Sequence, residues 1–368
     1  MRGIVYTGAG KAELTDELEV REPGPGEVLV RLVASGLCHT DVSVIDGTIP
    51  WQAPAVLGHE GAGVIERCGE GVTSVRPGDH IVLSTISSCG RCRMCNTGMP
   101  TRCRQSIGNR AEPFRFRGRP CANFAATSTL VEYTVIKEAQ AVVIDASVPL
   151  SSACLIACGV LTGAGSVWNS ADVQRGDNTA VFGIGGVGLS AIQALVISGA
   201  SRIIAVDTVA EKESLARAFG ATHFVHAAGA DVAQQIRAIV PFSADAVSGP
   251  FGAGGVDWAF ECSGHPAALR AAIDALEWGG GAVAIGVPAQ GTEVALPVNH
   301  MVHLDRKLIG ARYGASKPHR DIPLVVDYYT QGRFKLDEMV TKTYTLDQWE
   351  DAVHDMHRGA LARGVVVF

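Results

Sequence analysis

Charge, aromatic side chains and long apolar runs are all scarce in this sequence. Only 18% of the 368 residues are charged and 6% are aromatic, and the net charge is −6 at pH 7. No block of lysine or arginine is long enough to follow a phosphate backbone, which argues against a nucleic-acid partner. No segment reaches the roughly 18 consecutive apolar residues of a membrane span, and the N-terminus has no signal-peptide stretch. We expect a cytoplasmic protein.

Apolar residues and glycine are abundant, and their distribution changes along the chain. The length exceeds the roughly 250 to 300 residues at which single cores stop growing, so two domains are expected. The first hundred residues contain short β-branched runs separated by Pro and Gly, which indicates a β-rich domain. From about Thr179, short apolar runs alternate with helical stretches, which predicts a doubly wound α/β domain with strands near residues 181–183, 203–207, 256–261 and 282–286.

β-rich character returns near Lys307, followed by a predicted amphipathic helix over 346–358 and a terminal strand. The α/β domain is then an insertion into the β-rich one. The predicted limits are 1–159 for the β-rich catalytic domain, 160–310 for the cofactor domain and 311–368 for the return to the first domain.

Ten cysteines without a secretion signal argue against a disulfide framework, because the cytosol keeps thiols reduced. Four of them, Cys89, Cys92, Cys95 and Cys103, form C-x2-C-x2-C-x7-C. One loop with this spacing can surround a tetrahedral ion, and four thiolates leave no open position, so the site would be structural. Zinc is favoured because the ferredoxin pattern has a different fourth spacing, with an iron–sulfur cluster as the alternative.

A second metal site is predicted from Cys38 and His59, which follow apolar runs at turns. Two cysteines and a histidine would leave zinc one open position, as catalysis requires, and Cys158 is the best candidate for the other thiolate. Asp41 is expected to orient the His59 imidazole, and Glu60 to approach the metal transiently. Isolated cysteines such as Cys38 and Cys158 are more often buried apolar thiols than ligands, and Asp41 taken alone is an ordinary turn or helix-cap residue.

A glycine-rich turn follows the apolar run that begins at Thr179. Because this turn opens a helix, its backbone amides and dipole would face a pyrophosphate. Asp207, 24 residues after the first glycine, would bond the ribose hydroxyls and disfavour a 2′-phosphate, so NAD is predicted over NADP. Lys212 would help hold the adenosine ribose, its alternative being a solvated helix lysine. The residues of the turn are Gly183, Gly185, Gly186, Val187 and Gly188.

Together these motifs resemble the medium-chain zinc alcohol dehydrogenases, over nearly the whole chain. Gly58-His59-Glu60-Gly61-Ala62-Gly63, followed by Gly69 and Val72, is similar to that family's zinc signature. Residues 124–135 and 159–165 are similar to its class I and class III branch. The resemblance implies a GroES-like catalytic domain beside a Rossmann domain, with two zinc ions per chain. The catalytic ion would be held by Cys38, His59 and Cys158, and the structural ion by the four-cysteine loop.

The resemblance also implies roles for single residues. Thr40 would take the substrate proton, and Ser43 stands where many relatives have the relay histidine, so the relay would end in water. His39 and Arg363 would contact the cofactor pyrophosphate, and Thr162, Val187 and Val287 would surround the nicotinamide. The substrate pocket would be wider than usual at Thr85 and Ala125, with Arg312 facing a polar or anionic substrate group. The full pocket set is Thr40, Thr85, Phe124, Ala125 and Arg312.

The predicted function is hydride transfer between a primary alcohol or aldehyde and NAD, with zinc as Lewis acid. Alternatives within the family are a thiol-adduct formaldehyde dehydrogenase, a polyol dehydrogenase and a reductase of aromatic aldehydes. A catalytically silent protein that binds zinc and NAD is the alternative from another class. The resemblance favours a homodimer over a tetramer.

Overall fold

The structure is a computed structural model that describes residues 1–8, 10–106, 111–229, 231–241, 254–359 and 361–368. The chain divides into two compact units. Unit 1 contains Met1–Gly159 and Lys317–Phe368, and unit 2 contains Val160–Ser316. Among the described residues no single helix is long and apolar enough to cross a membrane, although the bent pair Leu150–Ala157 and Gly159–Ser170 reaches the length and composition jointly.

The strands lie in chain order at β1 (Gly3–Gly8), β2 (Lys11–Thr15), β3 (Leu18–Val20), β4 (Glu27–Gly36), β5 (Ala55–Val56), β6 (Glu60–Cys68), β7 (His80–Leu83), β8 (Phe114–Phe116), β9 (Arg119–Asn123), β10 (Tyr133–Lys137), β11 (Ala141–Val143), β12 (Asn178–Phe182), β13 (Arg202–Asp207), β14 (His223–His226), β15 (Val256–Glu261), β16 (Leu276–Ala284), β17 (Lys307–Gly310), β18 (Val340–Tyr344) and β19 (Arg363–Val367).

The α-helices lie at α1 (His39–Ile45), α2 (Arg93–Asn96), α3 (Leu150–Ala153), α4 (Gly159–Gly165), α5 (Gly186–Ser198), α6 (Lys212–Ala218), α7 (Val232–Ile239), α8 (Pro266–Asp274), α9 (Val298–His303), α10 (Pro318–Thr330) and α11 (Trp349–His357). A 3₁₀ turn at Leu346–Gln348 precedes α11, so the predicted helix over 346–358 is present with its first turn more tightly wound.

Unit 1 contains two sheets, with the strand orders β2-β1-β5-β9-β8-β3 and β11-β7-β6-β4-β19-β18. β4 is central to the second sheet, because it pairs antiparallel with β6, β10 and β19. Its apolar side chains Val28, Val30 and Leu32 pack with Ile65 and Ile81 in one buried cluster. The last strand of the chain, β19, is therefore an inner strand and not an edge.

Unit 2 is a parallel sheet in the order β14-β13-β12-β15-β16-β17. The chain leaves β12 for β13 on one side and later places β15 on the other, so β12 and β15 flank the point where strand order reverses. Ligands of doubly wound folds bind at the carboxyl ends of the strands at this point. The predicted fold class, a β-rich domain with a parallel-sheet α/β domain, is confirmed.

The β-rich segment near Lys307 contains β17, which lies inside the range 160–310 predicted for the cofactor domain. In the structure β17 pairs parallel with β16, with Ala282 opposite Leu308, and is the edge strand of the unit 2 sheet. A four-residue strand has too little periodicity to show which sheet it joins, so only the pairing partner decides.

Candidate active site

Cys38 is placed by the end of β4 and the start of α1. β4 ends at Gly36, opposite Glu60 at the start of β6, so the sequence motifs around Cys38 and His59 meet at adjacent strand ends. Cys38 has extended backbone angles and is the N-cap of α1. The Thr40 hydroxyl, in the first turn of that helix, lies 3.6 Å from the Cys38 sulfur. The start of α1 thereby places the Thr40 hydroxyl next to the Cys38 thiol.

The His59 imidazole is in hydrogen-bond contact with Asp41. The imidazole Nδ1 lies 3.2 Å from Asp41 Oδ1, and the same oxygen accepts a hydrogen bond from the Gly58 amide at 2.9 Å. Both side chains are almost fully buried. Since the carboxylate can only accept, Nδ1 carries a proton and Nε2 is left to act as a ligand.

Gly58 allows the chain to turn into this arrangement. Its φ of +89° lies in the region that favours glycine, and an added Cβ would stand 2.2 Å from the Leu130 amide nitrogen. A side chain at residue 58 would therefore displace the turn between β5 and β6 that carries His59.

The structure brings Cys38, His59, Glu60 and Cys158 together, with one ligand atom from each lying within 4.8 Å of the others. Cys158 follows a 3₁₀ turn over Cys154–Ala157, so it comes from a part of unit 1 remote in sequence from the other three. Two thiolates, an imidazole nitrogen and a nearby carboxylate are a donor set that zinc favours in sites with an open position. The residues present thus fit a catalytic zinc ion.

Local electrostatics favour a cation at this place. Hydrogen bonding with Cys158 lowers the pKa of Cys38 well below its ordinary value, against the effect of burial, and the charge of His59 adds to this. Burial alone lowers the pKa of His59, but the charges of Asp41 and Cys38 outweigh it and raise that pKa to about 10. The surroundings are therefore anionic, and the thiolate form that metals bind is stabilised.

Glu60 is held by partners in unit 1. Its Oε1 accepts a hydrogen bond from the Gly159 amide at 3.0 Å, and its Oε2 forms an ion pair with Arg363. Both side chains are buried. Arg363 Nε is buried without a hydrogen-bond partner among the described residues. The predicted contact of Arg363 with a cofactor phosphate stays a prediction.

Cys89, Cys92, Cys95 and Cys103 form the second metal-ligand group, also within 4.8 Å of one another. Three sulfur–sulfur distances are 3.5, 3.7 and 4.0 Å. Tetrahedral zinc with Zn–S bonds of 2.3 Å requires about 3.8 Å between sulfurs. An iron–sulfur cluster would place the thiolates on different irons and hence further apart. The spacing therefore fits one ion held by four sulfurs.

The four thiols interact strongly with each other. Burial raises the pKa of Cys103, but the backbone amides of Cys89 and Gln105 outweigh this effect and lower that pKa to about 6. Burial and the neighbouring sulfurs raise the pKa of Cys95 to about 12. One thiolate is thus stabilised while a second is opposed, and a divalent cation would be needed to hold all four ionised.

The glycine-rich turn connects β12 to α5 in unit 2. Gly188 is required by the protein itself, because an added Cβ would lie 2.0 Å from the Gly183 carbonyl oxygen. At Gly185, the N-cap of α5, an added Cβ would meet nothing within 4 Å. The space beside Gly185, at a helix N-terminus, fits a pyrophosphate group.

Asp207 ends β13 next to this turn. One carboxylate oxygen accepts a hydrogen bond from the Ile184 amide at 2.7 Å and the other from the Val209 amide at 3.0 Å. The Lys212 ammonium lies 3.1 Å from the carboxylate. Asp207 is therefore fixed relative to the glycine turn, which is the placement that ribose binding requires.

The remaining predicted contacts fall in both units. Unit 1 contains His39 and the pocket candidates Thr40, Thr85, Phe124 and Ala125, whereas unit 2 contains Thr162, Val187, Val287 and Arg312. His39 and Val287 are exposed, Thr162 and Val187 are half-buried, and Phe124 is buried. Arg312 begins a 3₁₀ turn over Arg312–Ala315. The individual roles of these residues stay predictions.

Sequence reasoning missed the aromatic neighbour of the pocket. The Phe124 ring stands edge-on to the His59 ring, with centroids 5.4 Å apart, and the Trp51 ring stands edge-on to Phe124 at 5.0 Å. Trp51 lies in a loop without periodic pattern, so nothing local shows that it reaches a residue 73 positions away.

Comparisons with known proteins agree with this geometry. Residues 24–146 match the alcohol dehydrogenase GroES-like domain, and residues 186–330 match the zinc-binding dehydrogenase domain. The chain is 37% identical to a probable S-(hydroxymethyl)glutathione dehydrogenase of Schizosaccharomyces pombe, covering 99% of this chain and 96% of that protein. It is 36% identical to a class-3 alcohol dehydrogenase of Cereibacter sphaeroides, covering 100% and 99%.

A solved structure shows the same fold over the whole length. Benzyl alcohol dehydrogenase from Acinetobacter calcoaceticus superposes with a TM-score of 0.91 at 33% identity, covering 100% of this chain and 99% of that one. Both metal-ligand groups and the glycine turn occur within the matched length. The chain belongs to the medium-chain zinc alcohol dehydrogenases, a family of NAD-dependent oxidoreductases of alcohols and aldehydes.

Proposed function

We propose that the protein oxidises primary alcohols with NAD, or reduces the corresponding aldehydes, at the site formed by Cys38, His59 and Cys158. The observation that carries this proposal is the donor set itself: two thiols and one imidazole converge, and the imidazole is fixed by Asp41. A structural site has no need of an incomplete coordination sphere, whereas a catalytic site does. A catalytically silent protein that only binds zinc and NAD would have no physical need for an open coordination position.

The chain's own residues would position the reactants and move the proton. When bound, zinc supplies Lewis acidity and NAD supplies the hydride acceptor. Thr40, whose hydroxyl lies 3.6 Å from the Cys38 sulfur, would accept the proton of the substrate hydroxyl. Asp41 would keep His59 Nε2 directed at the metal position, and Ser43 would pass the proton on to water. Glu60 would place a carboxylate beside the metal position, and its ion pair with Arg363 would partly neutralise the negative charge of that carboxylate.

The cofactor we propose for unit 2 is NAD. The pyrophosphate would lie against Gly185 and the N-terminus of α5, and the Asp207 carboxylate would bind the ribose hydroxyls and repel a 2′-phosphate. Thr162, Val187 and Val287 would surround the nicotinamide. On this proposal residues 1–159 and 311–368 serve zinc and substrate, and residues 160–310 serve NAD.

Among alcohols, we propose a preference for flat aromatic substrates. Phe124 and Trp51 place an aromatic wall beside His59, and aromatic rings attract one another edge to face. Thr85 and Ala125, in the same unit, are small and leave space for a ring. A solved relative named for benzyl alcohol supports this class. Relatives named for S-(hydroxymethyl)glutathione support the thiol-adduct alternative.

We further propose a homodimer built on the exposed edge of unit 2. β17 is an edge strand, and its Leu308 is 41% exposed. The preceding helix α9 exposes Val298 and Val302 by 69% and 72%, and Trp278 is 52% exposed. An edge strand with apolar neighbours is a template for pairing, and a two-fold axis lets two copies of the same strand satisfy each other.

The cytoplasm is the compartment we propose. The ten cysteines all lie in the described residues and form no disulfide there, and the close thiols of both metal-ligand groups would be at risk of oxidation in a compartment that favours disulfides.

The two metal sites predict opposite effects of removing one ligand. Cys38→Ala should lower kcat/KM by about three orders of magnitude or more, because the Lewis acid is lost, with little change in Tm. Cys95→Ala should lower Tm by roughly 5 °C or more, because metal binding contributes folding energy. Zinc analysis, steady-state kinetics and thermal unfolding of both variants test this. Equal loss of activity at unchanged Tm in both would contradict the assignment.

Two glycines of the same turn provide a matched pair. Gly185→Ala should raise the Kd for NADH about tenfold or more while Tm is unchanged, because the new methyl group fills only the space for the pyrophosphate. Gly188→Ala should destabilise the protein by about 1–3 kcal/mol, because its methyl group meets backbone. Fluorescence titration with NADH and thermal unfolding distinguish them. Normal NADH affinity in Gly185→Ala would contradict the proposed cofactor position.

The substrate proposal predicts the order of activity in a panel of alcohols. NAD reduction should be faster with benzyl alcohol than with ethanol or glycerol, judged by kcat/KM. It should not require glutathione. Trp51→Leu should lower kcat/KM for benzyl alcohol about fivefold and change that for ethanol less, because an aromatic pair contributes about 1 kcal/mol. Activity only with formaldehyde plus glutathione would establish the thiol-adduct alternative.

The dimer proposal predicts that one charged residue separates the subunits. Val302→Asp should convert a dimer to a monomer in light-scattering measurements, because the charge would be buried against the partner. Val143→Asp is the control, since Val143 is 43% exposed on another edge strand, β11, in unit 1. A dimer that survives Val302→Asp would place the interface elsewhere.

A further inference from the structure

The loop next to His59 contains several residues with left-handed backbone conformations. In the loop Phe124–Ser128, Ala125, Ala126 and Ser128 have φ values of 49°, 61° and 53°. None of them is glycine, so each left-handed conformation is strained. Such a loop persists only if its surroundings hold it. The loop also carries Phe124, whose ring contacts His59, and the pocket candidate Ala125.

One end of the loop is held by Ser128. Its hydroxyl accepts a hydrogen bond from the Phe124 amide at 2.9 Å and donates one to the Val56 carbonyl at 2.7 Å. The amides of Thr127 and Ser128 both donate to the Phe124 carbonyl. These bonds close the loop on itself and attach it to β5. They do not reach the Ala126 carbonyl in its middle.

Gln140 reaches that carbonyl from a distant turn of unit 1. Its side chain is buried, and the amide Nε2 donates to the Ala126 carbonyl at 3.0 Å and to the Ser84 carbonyl at 2.9 Å. Its Oε1 accepts from the Lys137 amide at 3.2 Å, and its own backbone carbonyl accepts from the Ser84 amide at 2.8 Å. Each polar atom of this buried amide therefore has a partner.

The two carbonyls that accept hydrogen bonds from Gln140 belong to residues adjacent in sequence to members of the proposed pocket. Ser84 directly precedes Thr85, and Ala126 directly follows Ala125. A primary amide is suited to join them, because it has two N–H groups on one nitrogen at a fixed angle. A carboxylate has no donor to offer, and an apolar side chain would leave two buried carbonyls unsatisfied.

We propose that Gln140 is a positioning residue that sets the separation of Thr85 and Ala125, and thereby the substrate specificity of the pocket. The inference rests on the proposed function, since it assigns a cause to the pocket's width. Without the amide, the strained alanines lose the bond that opposes their relaxation, and the pocket wall carrying Phe124 shifts. Gln140 itself does not touch the substrate, so zinc binding and the chemical step should survive its loss.

The test compares Gln140→Met with wild type using ethanol and benzyl alcohol. Methionine keeps the length and apolar volume of glutamine but has no donor. The ratio of kcat/KM for the two alcohols should change at least about fivefold, while kcat for ethanol changes less than about twofold. Gln140→Asn, which is too short to reach both carbonyls, should change the ratio in the same direction, and it serves if the methionine variant folds poorly.

Ser152→Ala is the matched control. Ser152 is also buried in unit 1 and donates to the side chain of Asp337, away from the loop. Its loss should lower Tm without changing the ratio of the two alcohols. An unchanged ratio in both Gln140 variants of an active enzyme would overturn the inference, whereas wild-type protein without alcohol-dependent NAD reduction would overturn the proposed function.

Hydrogen exchange provides a readout that does not need activity. The Thr127 and Ser128 amides should exchange at least about tenfold faster in Gln140→Met than in wild type, and Ser152→Ala should leave them unchanged. Unchanged protection of these amides in Gln140→Met would show that the amide does not hold the loop, and would refute the proposed role whatever the kinetics.

Discussion

Asp41 accepts two hydrogen bonds through one oxygen, from His59 Nδ1 at 3.2 Å and from the Gly58 amide at 2.9 Å. Through the first bond it selects the imidazole tautomer that can ligate a metal. Through the second it fixes the backbone turn that delivers the imidazole. The remaining ligands need only to approach a nitrogen whose position is already determined. Because this carboxylate is buried, solvent screens its charge little, and its electrostatic interaction with the nearby His59 is strong.

Buried charge explains why the neighbouring groups are arranged as they are. Glu60 and Arg363 form an ion pair in the same interior, where an unpaired carboxylate would be costly. The charges of Asp41 and Cys38 outweigh burial and raise the pKa of His59 to about 10, and Cys158 belongs to the same group of ligands. A divalent cation at the centre would offset several of these charges at once. The site's stability and its chemistry thus have one electrostatic origin.

The sequence predicted those site features whose residues lie close together in the chain. Four cysteines within 15 positions and a glycine turn after a strand are short-range patterns, and each needs only its own loop to form. Cys158 was harder to identify, since no spacing links it to Cys38, and the resemblance was needed to support it. Trp51 and Gln140 were not foreseen at all. Trp51 contacts a ring 73 residues away, and Gln140 joins carbonyls 14 and 56 residues away. The left-handed alanines carry no signature because alanine usually marks a helix.

The discontinuity of unit 1 has a consequence for how the protein is made. β19 lies inside a sheet whose other strands, β4 and β6, are near the N-terminus, and it carries Arg363, the partner of Glu60. On a ribosome, residues 160–316 can leave the exit tunnel and fold while that sheet still lacks an inner strand. Glu60 then has no counter-charge until Arg363 has been synthesised. The nascent chain therefore completes this sheet only when β19, which follows the whole of unit 2 in the sequence, has been made and has paired with β4.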